Sequence, residues 1–238
     1  MRVTLARRAA AEALGTALLV VAVVGSGIAA ERLSPGQPGV QLLENAAATA
    51  AALVAIIVAV GPVSGAHLNP AVTIADRLLG GMTTREMSAY VPAQVVGGAI
   101  GAVVANLMFE LPAATWSTTA RSGGHLWLAE VVATFGLLVV VFGAVRSGRA
   151  ALAPVAVGAY IGGAYFFTSS TSFANPAVTV SRTLTDTFTG IDPASAPAFV
   201  GAQLVGAGVA VLAVRLLHPP PELAPAEALL PHPTEASP

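Results

Sequence analysis

The chain has 238 residues, of which 55% are hydrophobic and 10% are charged, whereas a typical soluble domain has about 25% charged residues. Its net charge of −1, without any continuous basic run, gives no support for nucleic acid as a partner. Cysteine is absent and the four histidines are scattered, so we expect no disulfide, no metal site, no cofactor and no enzyme activity.

Long apolar stretches follow one another along the chain, and their lengths fit helices that cross about 30 Å of hydrocarbon. The six stretches lie at about 9–30, 45–60, 89–108, 126–145, 150–167 and 198–217. The first is longer than a cleavable signal core, so we expect it to be retained. Gly97 with Gly101, and Gly158 with Gly162, have the spacing that permits close helix contact, within a subunit or between subunits.

Arginine sets the predicted orientation, because short cytoplasmic loops carry the excess of positive charge. Six spans place both termini on one side, where eight of the eleven arginines fall. We therefore expect a multi-pass plasma-membrane protein with both termini in the cytoplasm. Arginine without lysine, together with abundant alanine and glycine, indicates a bacterium with a GC-rich genome. The proline-rich segment 218–238 is predicted to be a disordered cytoplasmic tail, with a docking peptide as the alternative.

The two halves of the chain repeat three features in the same order: a glutamate in the first span, the string Asn-Pro-Ala-Val-Thr, and a glutamine in the third span. The matched pairs are Glu12 with Glu130, Asn69 with Asn175, and Gln94 with Gln203. Three spans in each half is an odd number, so the second copy must be inverted relative to the first. The repeats extend over about residues 9–110 and 126–217.

Each Asn-Pro-Ala string has the features of a helix start, because Asn is a preferred N-cap and Pro suits the first helical position. The helices that follow, over 71–78 and 177–184, would be about 15 Å long, which is half the hydrocarbon thickness. Such half-helices must line a pore or be buried. If they enter from opposite faces, their positive N-terminal ends meet at the midplane and oppose cations and protons. The amides of Asn69 and Asn175 would orient passing water.

These features resemble the aquaporin and glyceroporin superfamily, also called the major intrinsic proteins, over about residues 9–217. The resemblance rests on the ten residues from Ser64 to Thr73, on the second Asn-Pro-Ala and on the repeated glutamate. It implies an all-α integral membrane fold with six transmembrane helices and two half-helices, a single channel domain over residues 1–217, and a homotetramer in the lipid bilayer. The residues implied at the central constriction are Asn69, Pro70, Ala71, Asn175, Pro176 and Ala177.

The resemblance also assigns roles to polar residues near the two motifs. Glu12 and Glu130 match acids that brace the pore loops by accepting from backbone N–H groups; a role in conduction is the alternative, since a membrane-embedded acid is costly and often functional. His67 would be a packed loop residue that borders the cytoplasmic part of the pore. A gating histidine is the second interpretation.

Water-selective members of the family carry an arginine three residues after the second motif's asparagine, where this chain has Val178. Counting along the second and fifth spans places the selectivity filter at Thr49, Gly163, Ser172 and Val178. All four residues are small or uncharged, which predicts a wide, uncharged pore. Arg182 would either pair with Asp186 at the outer edge of the half-helix or swing back as a substitute for the missing filter arginine.

These expectations favour a passive channel for small neutral solutes. The implied solutes are water, glycerol-like molecules and metalloid hydroxides such as arsenite, a trihydroxide that resembles glycerol in size. An ordinary water channel is one alternative. A coupled secondary transporter that uses Glu12 and Glu130 as its ion site is another.

Overall fold

The computed structural model describes residues 3–218, and this range contains eight α-helices. They are α1 (Leu5–Leu33), α2 (Pro38–Ser64), α3 (Pro70–Leu79), α4 (Thr84–Met108), α5 (Gly124–Arg146), α6 (Ala153–Phe167), α7 (Pro176–Ser181) and α8 (Ala196–Leu217). A 3₁₀ turn precedes α6 at Ala150–Leu152, and another follows α7 at Arg182–Leu184. The predicted tail at 219–238 lies outside the described residues.

Six of the helices, counting the turn before α6 as part of it, are long and apolar enough to cross a membrane. The other two, α3 and α7, start at the Pro of each Asn-Pro-Ala string. The predicted fold class, an all-α membrane protein with six spans and two half-helices, is confirmed. The second half-helix differs in detail, because it contains six α-helical residues before its 3₁₀ turn.

Glycines bring the first and third spans of each repeat into backbone contact. A Cβ atom at Gly97 in α4 would lie 2.1 Å from the carbonyl oxygen of Ala13 in α1. In the second repeat, a Cβ at Gly206 in α8 would lie 2.5 Å from the carbonyl oxygen of Val131 in α5. Neither position can hold a larger residue unless the helices move apart.

The two repeats meet through α2 and α6 and through the half-helices. A Cβ at Gly158 in α6 would lie 2.8 Å from the carbonyl oxygen of Ala50 in α2, and one at Gly162 would lie 3.1 Å from the Ala50 Cβ. These glycine pairs therefore serve helix packing within the chain. Each half-helix also contacts the other repeat: α3 packs on α8, and α7 packs on α4.

Side-chain contacts distinguish the two sides of the bundle. On the side where α1 begins and α8 ends, called here the terminal side, Arg8 pairs with Glu86 at 2.5 Å, and Arg215 donates to the Leu78 carbonyl at 2.6 Å. On the opposite side, Arg32 donates to the Phe109 carbonyl at 2.6 Å. The half-helix α3 therefore ends on the terminal side, and α7 ends on the opposite side, where Asn106 near the end of α4 donates to the Leu184 carbonyl at 3.1 Å.

Candidate functional site

Each half-helix is capped by the asparagine of its motif. The Oδ1 atom of Asn69 accepts from the backbone N–H of Ala71 at 2.8 Å, and Oδ1 of Asn175 accepts from Ala177 at 3.0 Å and from Val178 at 3.3 Å. These bonds satisfy backbone donors that a helix start otherwise leaves without a partner. The sequence therefore determines where both half-helices begin.

The same two asparagines connect the half-helices to each other. The Nδ2 atom of Asn69 donates to the carbonyl of Ala174 at 2.8 Å, and Nδ2 of Asn175 donates to the carbonyl of Leu68 at 2.8 Å. An amide nitrogen carries two hydrogens, so each asparagine keeps one N–H for another acceptor. Both asparagines line a cavity of about 310 Å³.

The loops that lead into the half-helices repeat one backbone pattern. The residues three and one before each asparagine have positive φ: 50° at Ala66 and Leu68, and 49° and 47° at Ser172 and Ala174. This left-handed backbone conformation costs a residue that has a Cβ atom about 1–3 kcal/mol. It persists only where the surrounding structure stabilises it. Two buried glutamates supply part of that support.

Glu12 accepts four hydrogen bonds that join three elements. Its Oε1 atom accepts from the Ser64 hydroxyl at 2.6 Å and from the His67 N–H at 3.0 Å, and its Oε2 atom accepts from the Leu68 N–H at 2.6 Å and from Nε2 of Gln94 at 2.7 Å. The side chain is fully buried. Its charge is directed at the backbone of the loop, and the residue does not line the cavity.

Glu130 occupies the equivalent place in the second repeat. It accepts from the N–H groups of Phe173 and Ala174, both at 2.9 Å, and from Nε2 of Gln203 at 2.6 Å. It is also fully buried and does not line the cavity. The structure thus places both glutamates against the loops, where four N–H groups, two of them from positive-φ residues, are directed at carboxylate oxygens.

The first loop has a support that the second lacks and that no sequence motif indicates. The Tyr90 hydroxyl donates to the Ser64 carbonyl at 2.8 Å and accepts from Nε of Arg8 at 2.7 Å. The equivalent of Tyr90, four residues before the glutamine of the second repeat, is Phe199, which has no hydroxyl. The terminal-side loop is therefore connected to the surface pair of Arg8 with Glu86.

The cavity passes both asparagines and reaches toward each side of the bundle. His67 and Asp76 line it on the terminal side, and Thr49, Tyr165 and Arg182 line it on the opposite side. Much of the remaining wall is apolar. Its apolar lining includes Leu19, Val23, Leu53, Val72, Leu137, Ile161 and Val178. Polar groups are thus confined to the middle and the two ends of a largely apolar passage.

His67 lies in the terminal-side wall, in a packed setting. Its Nδ1 atom is 3.1 Å from the Thr73 hydroxyl, and its Nε2 atom is 3.8 Å from a carboxylate oxygen of Asp76. Its ring packs edge-on against Tyr90 at 5.5 Å between centroids. The residue therefore both packs against the loop and borders the cavity.

The four predicted filter positions do not all meet in the cavity. Thr49, Ser172 and Val178 line it, but Gly163 does not, because it lies on the exposed side of α6. Tyr165 lines the wall instead, and its hydroxyl lies 3.2 Å from the Thr49 hydroxyl. Two residues along a helix correspond to a rotation of about 200°, so the predicted position faces the opposite way.

Arg182 also departs from the favoured prediction. It does not extend to the outer edge toward Asp186, whose carboxylate instead accepts from the Thr118 N–H at 2.9 Å. Arg182 is 3% exposed, lines the cavity and donates from Nε to the Thr189 carbonyl. The prediction of an uncharged pore is therefore wrong, because the Arg182 guanidinium lines this end together with Tyr165 and Phe173.

Six spans, two opposed half-helices and a cavity through their meeting point define a channel-like membrane protein. A family model described as Major intrinsic protein matches residues 1–174. The chain belongs to the major intrinsic protein family.

Individual relatives agree with this assignment. The chain is 49% identical over 216 residues to the aquaglyceroporin AqpS of Rhizobium meliloti (strain 1021), covering 91% of this chain and 92% of that protein. It is 32% identical over 217 residues to a probable aquaporin, AqpM, of Archaeoglobus fulgidus, covering 81% and 88%. Its fold is similar to that of the aquaglyceroporin from Plasmodium falciparum, with a TM-score of 0.70 at 21% identity over 89% of this chain and 96% of that one.

Proposed function

We propose that the protein is a passive transmembrane channel for water and small neutral solutes of the glycerol type. The observation that carries the proposal is the cavity that passes between Asn69 and Asn175 and is lined mainly by apolar side chains with polar groups at intervals. A solute that gives up part of its hydration shell there finds hydrogen-bonding partners at those intervals. The printed name of the 49% identical relative, an aquaglyceroporin, supports the same solute class.

Metalloid hydroxides such as arsenite belong to the proposal as a finer element. An uncharged trihydroxide presents oxygens much as glycerol does, and the hydroxyls of Thr49, Tyr165 and Ser172 line one end of the cavity. The support is this set of hydroxyls rather than a wide pore, because Arg182 and two aromatic residues line that end.

The positions of Glu12 and Glu130 favour a passive channel over a coupled transporter. A coupling ion needs a site that it can reach from the solute path. Glu12 and Glu130 do not line the cavity, and their oxygens already accept from loop N–H groups and from a glutamine in each repeat. Flux through the protein should therefore depend on neither pH nor Na⁺.

The experiment is light scattering by proteoliposomes challenged with glycerol, arsenite or an impermeant osmolyte. Ile161→Trp places a large side chain on the cavity wall, whereas Val155→Trp adds the same side chain on the exposed face of the same helix, where the residue is 60% exposed. We expect Ile161→Trp to abolish glycerol entry and Val155→Trp to preserve it. Wild-type rates equal to those of empty vesicles, or a glycerol rate that Ile161→Trp leaves unchanged, would contradict the proposal.

The assembly and orientation complete the proposal. We propose a homotetramer with both termini in the cytoplasm and a single channel domain over residues 1–217, supported by the family resemblance and by the arginine asymmetry. Mass measurement by light scattering of the detergent-solubilised protein tests the first point. Protease accessibility of a tag fused to the C-terminus, in spheroplasts and in inverted vesicles, tests the second.

A further inference from the structure

Arg182 is a buried cation without an acidic partner. Within residues 3–218 it forms no ion pair with a carboxylate. Its Nε atom donates to the Thr189 carbonyl, and its guanidinium carbon lies 3.4 Å from the centre of the Phe173 ring. An isolated buried charge costs several kcal/mol unless other groups solvate it. The remaining donors of this guanidinium therefore need acceptors that the described protein does not supply.

Those donors are the two Nη atoms, which form no hydrogen bond with any residue in 3–218. Arg182 lines the cavity, so acceptors can reach it from the solute path. The side chain comes from a position four residues after Val178, and both residues lie on the cavity wall. Because Val178 is short and apolar, it takes up little of the cavity that Arg182 also lines.

Two hydroxyls add to this donor set. The Oγ atom of Ser172 is buried and has no hydrogen-bond partner among the described residues, although Ser172 lines the cavity. The Thr49 hydroxyl accepts from Tyr165 at 3.2 Å, and since a hydroxyl both accepts and donates, it keeps its own proton for another acceptor. This end of the cavity thus offers donors in excess of acceptors.

We propose that Arg182, Ser172 and Thr49 form a solute-oxygen site, which binds the acceptor oxygens of small oxygen-rich solutes in transit and repels cations. Arg182 is its specificity-determining residue, because the planar guanidinium fork carries a positive charge and donates to two oxygens at once. This inference rests on the proposed channel function and adds a charge-selective binding step to it.

The test uses three planar probes of similar size that differ in charge: guanidinium, urea and nitrate. In wild-type proteoliposomes we expect urea to pass, guanidinium to be excluded and nitrate to slow urea flux by occupying the site. In Arg182→Gln the ratio of guanidinium to urea permeability should rise roughly tenfold, and nitrate should no longer slow urea. A variant that passes urea but still excludes guanidinium and still responds to nitrate overturns the proposal.

Arg121 provides the matched control. Its guanidinium lies 5.3 Å from the centre of the same Phe173 ring, but it donates to the carbonyls of Gly190 and Phe188 and does not line the cavity. Arg121→Gln removes a positive charge beside the same ring and should leave the behaviour of all three probes unchanged. If Arg121→Gln changed the probe permeabilities as much as Arg182→Gln, the change would come from the loss of positive charge in this part of the protein. That result would contradict the proposed site.

If Arg182→Gln does not fold, Arg182→Lys tests the proposed site. It keeps the positive charge and loses the planar fork, so guanidinium should stay excluded while the nitrate effect on urea weakens severalfold. Passage of guanidinium, or a nitrate effect equal to wild type, counts against the site. Wild-type vesicles that pass neither water, glycerol nor urea contradict the channel function itself, which is a distinguishable result.

Discussion

The Oε2 atom of Glu12 accepts a hydrogen bond from the N–H of Leu68 at 2.6 Å, and the carbonyl of Leu68 accepts one from Asn175 at 2.8 Å. A glutamate in the first span thereby fixes the backbone of Leu68, which accepts a hydrogen bond from the asparagine of the second motif. Because Leu68 has φ of 50°, its conformation depends on these bonds. The glutamate therefore helps to position both half-helices while remaining outside the cavity.

Glu12→Gln should lower stability more than it changes selectivity. The amide NH₂ of glutamine would replace an oxygen that accepts from the loop and from Gln94, so at least one buried donor loses its partner, at about 2–4 kcal/mol. We expect a lower melting temperature in detergent, with the ratio of glycerol to water permeability preserved in the folded fraction. Glu110→Gln, at an exposed loop residue, is the control. An unchanged melting temperature for Glu12→Gln would rule out the bracing role.

Contact between α1 and α4 predicts a second stability effect. In Gly97→Ala the new methyl group would lie 2.1 Å from the Ala13 carbonyl oxygen, so the two helices must separate. We expect a large loss of folded protein in size-exclusion chromatography. Gly208→Ala in α8 is the matched control, because nothing lies within 4 Å of the added atom. It should be neutral or slightly stabilising, since alanine is the better helix former. Equal yields of the two variants would show that close contact at Gly97 is dispensable.

Much of this fold follows from local sequence signals. Span length and the Asn-Pro starts of the half-helices depend on chemistry within one segment, and both appear in the structure where the sequence indicated them. The sequence predicts the first half-helix at 71–78, and the structure has it at Pro70–Leu79. Cap chemistry is local, so it can be recognised without tertiary information.

The lining of the cavity could not be predicted in the same way. Which face of α6 is turned to the cavity depends on the loop that follows it, where Thr171, Ser172 and Ala174 have positive φ without being glycine. Counting through such a loop selected Gly163 in place of Tyr165. The course of Arg182 depends likewise on a ring and a carbonyl, Phe173 and Thr189, that the sequence does not mark as its neighbours.

The two candidate residues of α6 can be compared directly. Tyr165→Phe removes the hydroxyl that contacts Thr49 and leaves a polar position of the wall apolar. It should change the glycerol-to-water permeability ratio by a few fold. Gly163→Ala adds an atom 3.7 Å from the Phe167 ring, an ordinary contact away from the cavity, and should leave the ratio unchanged. Both ratios are measured by light scattering. A ratio that changes in Gly163→Ala and not in Tyr165→Phe would support Gly163, the filter position predicted from the sequence.

Val178→Arg adds a second guanidinium to the cavity that Arg182 already lines. The long side chain takes up cavity space that valine leaves open, and the two like charges repel each other. Glycerol permeability should fall roughly tenfold while water permeability falls less, since a narrower passage retards the larger solute more. Val178→Met adds length without charge and separates the two effects: a loss seen with both variants is steric, and a loss confined to arginine is electrostatic. Equal loss of water and glycerol in Val178→Arg would show that Val178 does not set the size limit of the pore.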